Sequence, residues 1–155
     1  FTTPNVMSGA SFGDAPGRYR LITMRSNDQF NTTIYGYSDR LRGIEGTRDV
    51  LLINPADMER AGLHEGQVVS LVSDAEDGVE REVFGLKVTP FSLPDGCLGA
   101  YYPEMNPLIP LWHHDEQSKT PAAKSVAVRI KPSEQTSPIA EKSEPTDHAT
   151  HPVSQ

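Results

Sequence analysis

NPADMERAGLHEGQVVSLVS, residues 54–73, holds a short helix, a glycine stop, a tight turn and a strand in one unit. Asn54 suits an N-cap, Pro55 the first helical position, and Asp57 adds negative charge to the first turn. Met58 and Ala61 are spaced for one buried face. Gly62 stands where a helix ends in a left-handed residue. Leu63 and Gly66 then lead into the Val-rich run 67–73.

Around this unit lie further short β-rich runs bounded by Gly, Pro, Asn or Asp: residues 19–24, 49–53, 83–89, 97–102 and 125–130. Together they predict a mainly β protein, a barrel of about six or more short strands with one or two small helices. Gly and Pro make up 12 and 13 of the 155 residues, which fits many turns. Residues 1–17, with three Gly and two Pro, read as linker or loop. Residues 133–155 are rich in Ser, Thr and Pro, and only Ile139 and Val153 are large and apolar. Such a segment cannot bury enough surface to offset its ordering entropy, so a disordered tail is expected. Residues 18–132 remain as one folded unit of ordinary domain size.

The charge balance excludes several classes. With 14 Lys+Arg against 21 Asp+Glu, the net charge is −7, the wrong sign for general nucleic-acid binding. One cysteine cannot form an intrachain disulfide or an all-cysteine metal site. No apolar run approaches the roughly 18 residues of a spanning helix. No secretory signal pattern is visible, and a cytoplasmic location is the expectation. The chain opens on Phe1 rather than Met, so a piece of a longer polypeptide is expected.

Four stretches could carry chemistry. RSNDQFNTT, residues 25–33, follows a predicted strand and is dense in hydrogen-bonding groups. It suits a polar ligand with many acceptors, or a loop satisfying its own backbone by Asx and Ser/Thr turns. Residues 18–48 hold six Arg (18, 20, 25, 40, 42, 48) against three acids (Asp28, Asp39, Glu45). These suit bidentate contact with a few phosphates, or a solvated face paired with those acids. Asn54 to Asp57 could meet an anion at a helix start, but capping alone explains both side chains. Residues 101–124 form a long loop with Asn106 stiffened by Pro103, Pro107 and Pro110, a kind of loop that is usually functional. Adjacent His113 and His114 diverge and make a poor metal pair. Cys97 reads as a small buried hydrophobe. No Ser-His-Asp order, Walker loop or Gly-x-Gly-x-x-Gly occurs.

The ordered set of these stretches resembles a known family. It runs from RSNDQFNTT to YGYSDRLRG, then NPADMERAGLHEGQVVSLVS, YYPEMNPLIP and SKTPAAKSVAVRI. It looks like the C-terminal molybdopterin dinucleotide-binding domain of the molybdopterin oxidoreductases. Within that family it is most similar to formate-dehydrogenase-like alpha subunits of the bacterial acid-resistance type. The resemblance covers residues 19–130. It implies a six-stranded double-psi β-barrel that clamps a molybdopterin guanine dinucleotide. It places cofactor contacts at Arg25, Gln29, Asn31 and Thr32 after the first strand, Asn54 and Asp57 at the helix start, and Asn106 and Lys124 late in the chain. It implies no catalytic residue and no metal ligand here. The molybdenum or tungsten would sit on two pterin dithiolenes, and the preceding domains of the same polypeptide would be the partners. Where many members continue the late Asn with Leu-Thr and later Asp-Pro, this chain has Asn106-Pro107-Leu108-Ile109-Pro110 and His113-His114-Asp115-Glu116. No contact carries over for residues 109–116.

Two other readings compete. A free-standing double-psi barrel for protein recognition shares the NPAD unit, but has no need of the loops at 25–33 and 106–124. A small self-contained enzyme on the same barrel, such as a decarboxylase, needs an activated group for which no candidate is present.

Overall fold

The computed structural model describes residues 15–133. Most of the expected linker (1–14) and of the expected tail (134–155) lies outside the described residues. Six strands close into a barrel: β1 (Tyr19–Met24), β4 (Val50–Ile53), β5 (Val68–Ser73), β6 (Glu82–Pro90), β7 (Cys97–Tyr101) and β8 (Val126–Pro132). Their order around the barrel is β1-β7-β4-β6-β5-β8, with β8 returning to β1. The β1/β7 and β4/β6 pairs are parallel and the other four antiparallel. The expected mainly β, six-stranded barrel is present, with every strand in the predicted place.

The apolar alternation explains the closure. Leu21, Leu71, Leu86, Val88, Leu98, Ala100, Val126 and Val128 turn inward and fill the barrel. Met105 and Leu108, from the segment after β7, join the same core. The strand β4 is buried at all four positions because it is apolar on both faces. Leu51 and Ile53 face the barrel interior, while Val50 and Leu52 pack outside it with Ile44 and Tyr101.

Among the described residues one α-helix is present, α1 (Pro55–Arg60), followed by Gly62 at φ +65° as the left-handed stop. A 3-10 turn covers Asn106–Leu108. The expected buried face of α1 is corrected: Met58 is half-buried, but Ala61 is exposed, and the buried helix residue is Asp57. A six-residue helix makes under two turns, so one inward position fixes its seat, and a hydrogen-bonded carboxylate fills it. Cys97 is half-buried at the start of β7 rather than enclosed. The polar stretch after β1 is folded as a small hairpin, β2 (Gln29–Phe30) with β3 (Thr33–Ile34), which among the described residues pairs only with itself.

Candidate functional site

Met24, the last residue of β1, pairs with Tyr101, the last of β7. The chain leaves both strands at one end of the barrel, and β8 is entered from the same end. There Lys124 donates from Nζ to the Thr23 carbonyl, and Thr23 N donates to the Ala123 carbonyl at 3.1 Å. Lys124 is thereby strapped to the end of β1, beside Arg25. Burial first, and the Arg25 charge second, push the Lys124 ammonium below its usual range. Among the described residues neither cation has a carboxylate partner. Two neighbouring cations lacking a counter-charge form a seat for an anion.

Next to this seat the segment after β7 shapes a groove of about 520 Å³, lined by Tyr102, Asn106, His113, Thr120, Ala123 and their neighbours. Asn106 is exposed, so its carboxamide can offer a donor and an acceptor. Burial lowers the His113 imidazole below its ordinary value, keeping it neutral at neutral pH. Its ring lies 5.4 Å from that of Trp112. A phosphate on the cations and a heterocycle in the groove match this donor set.

At the hairpin tip Asn31 and Thr32 are exposed, with Asn31 at φ 51°. Gln29 is engaged inside the protein. Its Nε2 donates to the Tyr102 carbonyl at 2.8 Å and to the Asn31 carbonyl at 3.0 Å. Its Oε1 accepts from Ser26 N at 3.3 Å and from Arg48 at 3.0 Å.

Asn54 and Asp57 lie elsewhere. Asn54 Oδ1 accepts from Ala56 N at 2.8 Å, and its Nδ2 donates to the Leu93 carbonyl at 2.6 Å. Asp57 Oδ2 accepts from Gly96 N at 2.8 Å, and Asp57 also pairs with Arg60. Gly96 is held in turn by Arg20 N, at the start of β1. Along β1 the two anchor points, Arg20 for the helix tether and Thr23 for Lys124, are three residues apart, roughly 10 Å at about 3.3 Å per residue. Arg25, Gln29, Asn31, Thr32, Asn106 and Lys124 therefore share one end of the barrel, while Asn54 and Asp57 stand at the opposite end as tethers of α1.

The arginine cluster divides. Arg18 pairs with Asp74 and Glu76, Arg42 with Asp39, and Arg48 with Glu104. Arg25 and Arg40 are exposed and have no carboxylate partner among the described residues. Ser26, Tyr101 and Glu104 fall within the stretches 25–33 and 101–124 singled out from the sequence, but sequence reading missed their convergence on Arg48. A pair 56 residues apart has no local signature. Among the described residues no group of three or more His, Cys, Asp or Glu side chains could hold a metal ion.

The chain belongs to the molydopterin dinucleotide binding domain family, whose profile matches residues 19–127. It is 51% identical over 121 residues to the uncharacterized oxidoreductase Rv2900c of Mycobacterium tuberculosis (strain H37Rv), covering 76% of this chain and 16% of that protein. It is 38% identical over 115 residues to protein YdeP of Escherichia coli (strain K12), covering 73% of this chain and 15% of that one. The chain thus spans about one-sixth of the length of these relatives. Acetylene hydratase from Pelobacter acetylenicus shares the fold: TM-score 0.53, 14% identity, 74% of this chain and 18% of that one. Arg25 and Lys124, without a carboxylate partner among the described residues, and the adjacent amide-bearing groove fit a pterin dinucleotide.

Proposed function

We propose that this chain is the dinucleotide-clamping domain of a larger, formate-dehydrogenase-like molybdopterin oxidoreductase, and that its ligand is the guanine dinucleotide form of the cofactor. The observation that carries this reading is the Arg25–Lys124 pair at the end of β1, two basic side chains without a carboxylate partner among the described residues. When bound, the cofactor supplies two-electron chemistry at molybdenum or tungsten held by its dithiolenes. The residues of this chain bind and orient it. Arg25 and Lys124 take phosphate oxygens. Asn106 fixes the edge of a heterocycle in the groove. Asn31 and Thr32 close over it from the hairpin tip. Asn54 and Asp57, at the far end, meet only an extended ligand that reaches α1. The remaining domains of the polypeptide are its partners and supply the substrate pocket.

The test is an amide NMR titration of the chain with guanosine diphosphate. Expected shifts are confined to residues 25–33 and 106–124; residues 54–57, at the far end, do not respond to so short a ligand. In the parent protein, Asn106→Ala with Lys124→Ala lowers bound pterin and molybdenum. Scattered or absent shifts, together with unchanged cofactor content in that double variant, overturn the reading.

A further inference from the structure

Arg48 is the only buried Arg or Lys among the described residues, 3% exposed. It stands two residues before β4, outside every segment assigned to the cofactor. Its Nη1 donates to Ser26 Oγ at 2.6 Å, and its Nη2 to Gln29 Oε1 at 3.0 Å and the Tyr102 carbonyl at 2.7 Å. Glu104 accepts from its Nε and, at 3.1 Å, from Nη2. The guanidinium lies over the Tyr101 ring, 4.7 Å from the centroid. A buried charge is costly unless it is paired and fully hydrogen-bonded, and an apolar side chain would fill the space more cheaply. Only a planar five-donor fork reaches these four partners at once, which a lysine cannot do.

The partners divide between two segments. Ser26 and Gln29 follow Arg25, and Tyr102 and Glu104 precede Asn106. Among the described residues the β2–β3 hairpin pairs only with itself, so no strand ladder there fixes it to the barrel. Side chains hold it instead: Arg48 on Ser26 and Gln29, and Gln29 on the Tyr102 carbonyl. Arg42 adds a third tie, donating to the Arg25 carbonyl at 3.2 Å while paired with Asp39. Resting on the clamp reading above, we infer that Arg48 is a positioning residue for a pyrophosphate-bearing ligand. It sets the Arg25 loop against the Asn106 turn so that both halves of the seat close on one ligand. Gln29 serves this lock and does not touch the cofactor.

The test uses the full chain with Arg48→Lys and, as the milder change, Glu104→Gln. Hydrogen exchange is measured without ligand, and guanosine diphosphate binding is measured with and without Arg25→Ala. In both variants the amides of residues 26–31 and 102–106 exchange faster together, while β4, β5 and β6 keep their protection. Guanosine diphosphate binding weakens about tenfold, and Arg25→Ala then adds little, because the seat is already out of register. Faster exchange in only one segment overturns the inference. So does an Arg25→Ala effect of equal size in both backgrounds, which is what a merely structural role gives. If Arg48→Lys fails to fold, Glu104→Gln carries the same test. A wild-type chain that ignores guanosine diphosphate overturns the positioning role, and the clamp reading falls with it when Asn106→Ala with Lys124→Ala also leaves the parent protein's cofactor content unchanged. Additive effects with ligand binding intact sink the positioning role alone.

Discussion

The Tyr101 hydroxyl donates to Asp39 Oδ2 at 2.8 Å, joining the end of β7 to a loop 62 residues earlier. Both residues are 1% exposed. Asp39 also accepts from Leu41 N at 3.2 Å and pairs with Arg42, so its charge is held from three sides. Tyr101→Phe keeps the ring against Leu52 and under Arg48 but leaves a buried carboxylate one donor short. We expect a loss of about 1–2 kcal/mol with an unchanged denaturant slope. Urea melts of the two proteins check this. A phenylalanine variant as stable as wild type would show that Arg42 and Leu41 suffice.

The pH dependence has a definite sign. At Asp39, burial pushes the carboxyl up, but the Tyr101 hydroxyl and Arg42 outweigh it and the net shift is downward. The Arg18 hydrogen bond holds Asp74 below the usual range, and Arg81 with Trp112 does the same for Asp77. Each folded-state value lies under the unfolded one of about 3.9. Their stabilisation is therefore whole above pH ~4 and is lost as pH falls through the folded values. Thermal melts from pH 6 to pH 2 should drop mainly below pH ~4. Stability that peaks in acid would contradict these ion pairs.

All six barrel strands and the capped helix were readable because each rests on local chemistry: β-branched runs between turn residues, or an Asn-Pro start with a Gly stop. The inward face of α1 was misread at Ala61 because apolar spacing could not show that Asp57 is drawn in by Gly96 N, 39 residues away. The polar loop and the late Asn and Lys were identifiable as candidates by type, order and family likeness. Their meeting at one end of the barrel depends on the parallel β1/β7 register, which no local pattern encodes. The same holds for Arg48, whose partners come from two distant segments.

Gly99 marks a close approach between β7 and its neighbours. A Cβ built there would fall 2.7 Å from Met24 Cε and 3.4 Å from Leu52 Cβ. The nearer atom is the far end of a flexible side chain, so Gly99→Ala should cost only about 1 kcal/mol, within the low range for overpacking. Adding Met24→Ala should recover part of that loss. Gly99→Val should cost about 3 kcal/mol, because Leu52 cannot withdraw from a buried strand. Denaturant melts of the three variants and the parent measure this. A valine variant no worse than alanine would refute the packing account.

Asp57 tests the helix tether apart from the ligand end. Asp57→Ala removes the acceptor for Gly96 N and the partner of Arg60, leaving a half-buried amide unpaired. The expected loss is about 1–3 kcal/mol. Amide exchange should quicken in α1 and at Gly96, while residues 25–33 and 106–124 keep wild-type shifts. If shifts in those loops moved as well, the two ends of the barrel would be coupled and the separation argued from the β1 register would fail.

Lys124 gives the proposed seat a pH signature. Its ammonium is pushed below the usual lysine range by burial and by Arg25. The charged form is thus disfavoured in the folded chain, and stability should rise slightly as pH rises through the folded value towards the unfolded one, about 10.4. A bound phosphate reverses the preference, since an anion favours the charged ammonium. Affinity for guanosine diphosphate should accordingly fall as pH rises through the free-state value, with proton uptake on binding in that window. Lys124→Arg, always charged, should keep alkaline affinity, and Lys124→Met should bind more weakly with the alkaline fall gone. Calorimetric titrations in buffers of different ionisation enthalpy read both the affinity and the proton count. An alkaline fall that persists in Lys124→Met would assign the titration to another group and remove Lys124 from the seat.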